Sequence, residues 1–243
     1  MKIQIKQTLN KLFVAVALAM VLTVAAFAQM PNKSENNREQ LTELLHRQSP
    51  TVTKTLGASK GTIVKSGAVT LTNSTNFTIG KNFAMAKFDA AASEDYEDAL
   101  NYTILDLVYL IDQLDGQPEA VQLQKTLKTV VRGTSTALQV SKEIETISKT
   151  YLARQKVDSK WYFNAGQTSM NLMISTYMGD DAQIKKGLTE LQSLIKVAPK
   201  GTAKEVIDPM NVLAQYVAKT SFTEEDYTAI YEGVGNVIDI VSG

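Results

Sequence analysis

The chain has 243 residues, with 25 basic and 25 acidic side chains, one histidine and no cysteine. A balanced charge argues against a generic nucleic-acid binder, and without cysteine the fold relies on packing instead of disulfides. A single histidine, His46, removes the sites that need several imidazoles: Glu-x-x-His di-iron bundles, zincins and triads with a second histidine role.

Lys2, Lys6 and Lys11 precede an apolar run from Leu12 to Ala28 that ends in Ala26-Phe27-Ala28. A basic start, an apolar centre and small residues at the cleavage position describe a secretory signal peptide. Residues 1–28 are therefore expected to leave, with Gln29 the new N-terminus. An uncleaved anchor is the alternative, since the run lies at the short limit of roughly 17–25 residues for a span. Cleavage removes three lysines and no acid, so the mature chain has 215 residues and a net charge of −3. It is expected to be extracytoplasmic, periplasmic or secreted.

Residues 29–88 read as a polar, Ser/Thr/Lys-rich extension. One short helix is expected at 38–48, where Leu41, Leu44 and Leu45 share a face. From Ser49 to Lys81 threonine, serine, glycine and lysine dominate. Val69-Thr70-Leu71-Thr72 alternates and is followed by Asn73-Ser74-Thr75-Asn76, which suggests a small β-hairpin or a low-complexity linker. Residues 44–88 carry six basic side chains and no acid. Arg47, Lys54, Lys60 and Lys65 are the candidate docking residues for an anionic polymer or another envelope protein.

From residue 89 onward the pattern is helical, and we expect a single bundle domain of five to six helices over 89–243. Leu100, Ile104, Leu107, Ile111 and Leu114 recur by fours and threes, the seam of an amphipathic helix. Asp115-Gly116-Gln117-Pro118 stops that helix and starts another. The second would run to Gln155, interrupted near Gly133, because glycine costs about 1 kcal/mol inside a helix. Residues 89–119 hold nine acids and no base, whereas 120–160 hold eight bases and three acids. The two are expected to pair through complementary faces.

Residues 161–179, WYFNAGQTSMNLMISTYMG, carry no charge. Two asparagines and a glutamine make a membrane span the weakest reading. Asn164, Gln167, Thr168, Asn171 and Ser175 instead fall on one face of a helix. They form the candidate ligand or interface stripe, either bonded to neighbouring helices or lining a pocket. Asp158 is expected to cap this helix and Gly179 to end it. Asp180 or Asp181 starts the next, which stops before Pro199. Thr202-x-x-Glu205 matches a capping box, Asp208-Pro209 marks a fresh start or kink, and Thr223 opens the last helix.

Ser193-Leu194-Ile195-Lys196 matches the S-x-x-K motif of penicillin-recognising enzymes, but S-D-N and K-T-G companions are absent. No cofactor, metal or catalytic centre is expected. The sequence points to an exported, non-catalytic helical-bundle protein, a binding or structural component of the cell envelope. The alternative is an extracytoplasmic small-ligand carrier whose pocket is lined by the 161–179 helix.

Overall fold

The computed structural model describes residues 65–66, 69–92 and 97–242. All of these lie in one compact unit, Thr55–Gly243. Strands β1 (Lys65–Ser66) and β2 (Val69–Thr70) pair antiparallel, Lys65 opposite Thr70. Eight α-helices follow among the described residues: α1 (Leu71–Ala92), α2 (Glu97–Gln113), α3 (Gln117–Val131), α4 (Ala137–Arg154), α5 (Val157–Met178), α6 (Asp181–Lys196), α7 (Lys204–Ala214) and α8 (Glu224–Ser242). A 3-10 turn, Gln215–Ala218, extends α7.

The fold is the all-α bundle expected from the sequence, with more helices and an earlier beginning. A short hairpin does occur, but the stretch read as its turn, Asn73–Asn76, lies inside α1. That helix occupies the middle of the bundle, packed most heavily on α5 and also on α2 and α4. Ser74, Thr75, Asn76, Thr78, Lys81 and Asn82 are buried on it together with Phe77, Ile79 and Phe83. The small polar residues supply their own partners. Thr75 Oγ donates to Leu71 O at 2.8 Å, Asn76 Nδ2 to Thr72 O at 2.8 Å and Thr78 Oγ to Ser74 O at 3.1 Å. Each back-bond spares the cost of an unpaired buried polar group. The bundle therefore begins well before the boundary at residue 89.

Helix α5 is the second central helix, with Phe163, Met170, Leu172, Met173 and Ile174 buried. Its crossing with α1 is set by two glycines. A Cβ on Gly80 would fall on the carbonyl of Phe163, and one on Gly166 on the carbonyl of Phe77. Bare backbone at both positions lets the helices touch main chain to main chain. Phe83, Tyr151 and Phe163 then form an aromatic triangle with centroids 5.8–6.4 Å apart, joining α1, α4 and α5. Such pairs each contribute about 0.5–1.5 kcal/mol beyond their burial. Trp161 Nε1 donates to Leu194 O at 2.9 Å, pinning α6 to the start of α5.

The α2 seam is as expected, with Leu100, Ile104, Leu107 and Ile111 buried. The break near Gly133 is also found: α3 ends at Val131, and Gly133 turns with a φ of 61° before Thr136 caps α4. Gly179 ends α5 in the left-handed conformation, and Asp180 caps α6 through Gln183 N. Thr223 and Asp226 cap the start of α8 reciprocally.

Three local expectations are corrected. Asp158 lies in the first turn of α5, whose N-cap is Lys156. Thr202 does not cap α7; its hydroxyl donates to Pro199 O at 2.9 Å and the N-cap is Ala203. Of the two readings of Asp208-Pro209, the fresh start is not found, since Pro209 sits inside α7.

Charge pairing also differs from the block pattern. Helices α2 and α3 pack together, yet Lys125 and Lys128 are exposed and make no ion pair among the described residues. Two ion pairs that do join helices are Lys87–Glu145 at 3.3 Å and Arg154–Glu119 at 2.8 Å. What holds α2 on α3 is its apolar seam, since exposed charges contribute only about 0–1 kcal/mol per pair.

Candidate functional site

Four pieces of chain meet beside the first turns of α1. The α2–α3 turn closes tightly because Leu114 N and Gly116 N both donate to Ile111 O, at 3.1 and 2.9 Å. Asp115 takes a φ of 57° there, a left-handed position that asparagine and aspartate tolerate better than most residues. The α4–α5 junction is an extended step through Gln155 and Lys156. Between these turns and Thr72 and Asn76 of α1 lies a cleft of about 290 Å³. Leu114, Asp115, Gly116 and Glu119 form one wall, and Tyr151, Arg154, Gln155, Lys156 and Ser159 the other.

The interior polar groups are tied in pairs. The Glu119 side chain is 2% exposed and its two oxygens lie 3.0 and 2.8 Å from a single nitrogen, Arg154 Nη1. Charge-assisted contacts of this kind are among the stronger hydrogen bonds. Because one nitrogen makes both contacts, the remaining donors of the half-exposed guanidinium have no partner among the described residues. Tyr151 OH donates to Asn76 Oδ1 at 2.9 Å, and Asn76 Nδ2 donates onward to Thr72 O. Burial, with the field of Glu119 second, pushes the Tyr151 phenol above its ordinary value, so it remains a donor.

Ser159 completes the wall. It is 8% exposed as a residue and lines the cleft. It stands in the first turn of α5, whose N-cap Lys156 contributes no side-chain bond. The first-turn N–H groups there lack the usual capping oxygen.

A second, more open groove of about 390 Å³ runs between α3 and α4, past Lys125, Thr126, Lys142 and Glu143. Thr126 Oγ lies 3.0 Å from Glu143 Oε2 and 3.2 Å from Gln122 O. Elsewhere, two ionisable groups are buried on α1. Burial lowers the Lys81 amine to about 8 against the opposing fields of Asp106 and Asp239. Burial raises Asp89 to about 7, with a counteracting bond from Thr103.

The uncharged stripe of α5 grades from buried to exposed along the helix. Thr168 is buried, Asn164, Gln167 and Ser175 are half-buried, and Asn171 is exposed. Asn164, Gln167 and Asn171 have no hydrogen-bond partner among the described residues. None of the five lines either cleft. The helix is central, as one reading held, but its amide face is at the rim. The docking residues Arg47, Lys54 and Lys60 and the helix expected at 38–48 lie outside the described residues, and Lys65 is placed only as a member of β1.

Ser193 and Lys196 are both exposed on α6, where Ser193 Oγ donates to Thr189 O at 3.0 Å. This is an ordinary helix-surface bond. Among the described residues no group of histidine, cysteine, aspartate or glutamate side chains is arranged to hold a metal ion. No described helix is long and apolar enough to cross a membrane.

Sequence reasoning missed Asn76, Glu119, Tyr151, Arg154 and Ser159. The usable signals were the Asp115-Gly116 turn and the Gln155-Lys156 junction, which place two helix starts near one another. The pairing of positions 119 and 154 was not written in any local pattern.

Among the described residues the architecture is that of an α-helical bundle with a small, internally paired polar cleft. Comparison with protein-family models, with curated proteins and with solved structures returns no match.

Proposed function

We propose that the protein is an exported, non-catalytic small-ligand binding protein and that its site is the cleft between the α2–α3 turn and the α4–α5 junction. The observation that carries this reading is the cleft of about 290 Å³, into which four elements bring polar side chains, among them the half-exposed Arg154 guanidinium with only one nitrogen engaged. Small-molecule sites are typically concave, with a few polar groups fixed in advance, as Glu119, Arg154, Tyr151 and Asn76 are. Binding is favoured over turnover because those groups hold one another. Glu119 is ion-paired, and the raised Tyr151 phenol makes a poor general base.

The pocket is thereby moved from the uncharged stripe to the start of the same helix. Export rests on the Ala26-Phe27-Ala28 pattern. Native mass spectrometry of the protein recovered from the exported fraction tests both parts. The expected result is a chain beginning at Gln29 that carries a small molecule, with that molecule lost from Tyr151→Phe. A ligand retained equally by the wild type and Tyr151→Phe would contradict the site, and a chain retaining Met1 would contradict the export.

A further inference from the structure

We infer that the protein pairs with a second copy of itself, the exposed face of α2 in one copy resting on the α3–α4 face of the other about a two-fold axis.

Six of the nine large apolar residues exposed among the described residues lie on α2, α3 and α4. On α2, Tyr102, Leu105 and Tyr109 are 63, 50 and 40% exposed. Their spacing by three and four puts them on one face, opposite the buried seam of Leu100, Ile104, Leu107 and Ile111. Val121 and Val131 stand exposed on α3, and Leu138 on α4. Single exposed apolar residues are ordinary, whereas a concentration on three successive helices marks an interaction surface. None of these residues lines the cleft.

Charge divides the same surface in two. Helix α2 carries Glu97, Asp98, Asp106 and Asp112 and no lysine or arginine. Residues 120–142, from α3 into α4, carry Lys125, Lys128, Arg132 and Lys142 and no acid. All four cations are exposed, and none makes an ion pair among the described residues. Val121, Lys125, Lys128 and Arg132 recur on one helix face, and Lys125 and Lys142 line the groove between α3 and α4. The acids that bracket this stretch are engaged already, Glu119 by Arg154 and Glu143 by the Thr126 hydroxyl. The basic block of the sequence therefore stays unneutralised within one chain.

A second copy supplies what is missing. Helix α2 packs on α3 and α3 on α4, so the acidic and the basic parts of the surface adjoin. A two-fold axis between them sets each copy's α2 against the other's α3 and α4, and both contacts form at once. An anionic lipid surface or polymer would meet the acids of α2 beside the cations that attract it. Between two copies the apolar side chains supply the burial, and the charges set the register and disfavour α2 lying on α2.

Sedimentation velocity of the full exported chain tests this with two charge-reversed variants. Leu105→Lys with Asp112→Lys makes the α2 face basic, and Lys125→Glu with Lys128→Glu makes the α3–α4 face acidic. All four residues are exposed, so each variant should keep the wild-type circular dichroism spectrum. The wild type should sediment as a dimer that weakens as salt is raised. Each variant alone should dimerise about tenfold or more weakly, because like charges then face each other at both contacts. An equimolar mixture of the two should recover to within about threefold of the wild type, because opposite charges meet again at both. A wild type that stays monomeric at every concentration overturns the inference. So does a dimer unchanged in both variants, or a mixture no better associated than its components. A monomer that binds phosphatidylglycerol vesicles and loses them on Lys125→Glu with Lys128→Glu would give the face to lipid and overturn it too.

Discussion

Asp89→Asn should stabilise the protein at neutral pH and leave it unchanged in acid. Asp89 is buried on α1, and Thr103 Oγ lies 3.1 Å from its Oδ2 and 3.0 Å from Ala99 O. A hydroxyl has one proton, so it cannot donate to both. Protonated Asp89 resolves the conflict: its O–H donates to Thr103, which then donates to Ala99. Asparagine reproduces that chain through its NH2 group. Burial holds the folded carboxyl at about 7 against an ordinary 3.8. At 1.36 kcal/mol per pH unit, holding the charge in that site costs about 4 kcal/mol. Relaxation around the site offsets part of this, so about 2 kcal/mol is expected. Between 3.8 and about 7 the folded chain binds more protons than the unfolded one. Stability due to this group therefore falls as pH rises through that window and is level above it. Urea titrations followed by circular dichroism, from about pH 4 to about pH 8, should show the variant equal to wild type at the acid end. At the alkaline end it should be about 2 kcal/mol more stable. A difference independent of pH, or a variant less stable at pH 8, would refute the reasoning.

Lys81 supplies the opposite slope: with the folded amine at about 8 and the ordinary value 10.5, stability should rise with pH between the two. Lys81→Met should lose that slope in urea titrations carried from about pH 8 to 10.5, at little cost to half-buried Asp106 and exposed Asp239. Gly166→Ala should cost about 3 kcal/mol or more, or prevent folding, because its Cβ meets the Phe77 carbonyl. Gly133→Ala, with open space around a φ of 61°, should cost about 1 kcal/mol; thermal melts separate the two. Asn171→Leu should shift stability by no more than about 0.5 kcal/mol, since the residue is exposed.

Local patterns carried the α2 seam, the Gly133 break and the Gly179–Asp180 boundary, because each is decided within a turn or two of chain. Helix α1 was not legible. Its Thr75, Asn76 and Thr78 belong to the residue types that favour turns, and only burial against α5 makes their back-bonding preferable to water. Gly80 and Gly166 held the missing information, since small residues at one crossing position on each helix allow that burial. The stripe of α5 was legible as uncharged, but its gradation from buried Thr168 to exposed Asn171 was not. Which side of a helix meets solvent depends on where its neighbours cross, and α1 crosses at Gly166. The cleft could not be read at all. Thr72, Asp115, Arg154 and Ser159 come from four elements, and only the assembled turns bring them together.

Chemical-shift mapping by NMR tests the central claim, that the molecule binds a small ligand in this cleft. The ligand recovered from the exported protein would be titrated into the labelled, emptied chain. The account predicts that backbone shifts concentrate at Asn76, Asp115, Gly116 and Val157 to Ser159, with Asn164 to Ser175 silent. Shifts centred on Asn164, Gln167 and Asn171 with the cleft residues unmoved would contradict it and return the site to the uncharged stripe.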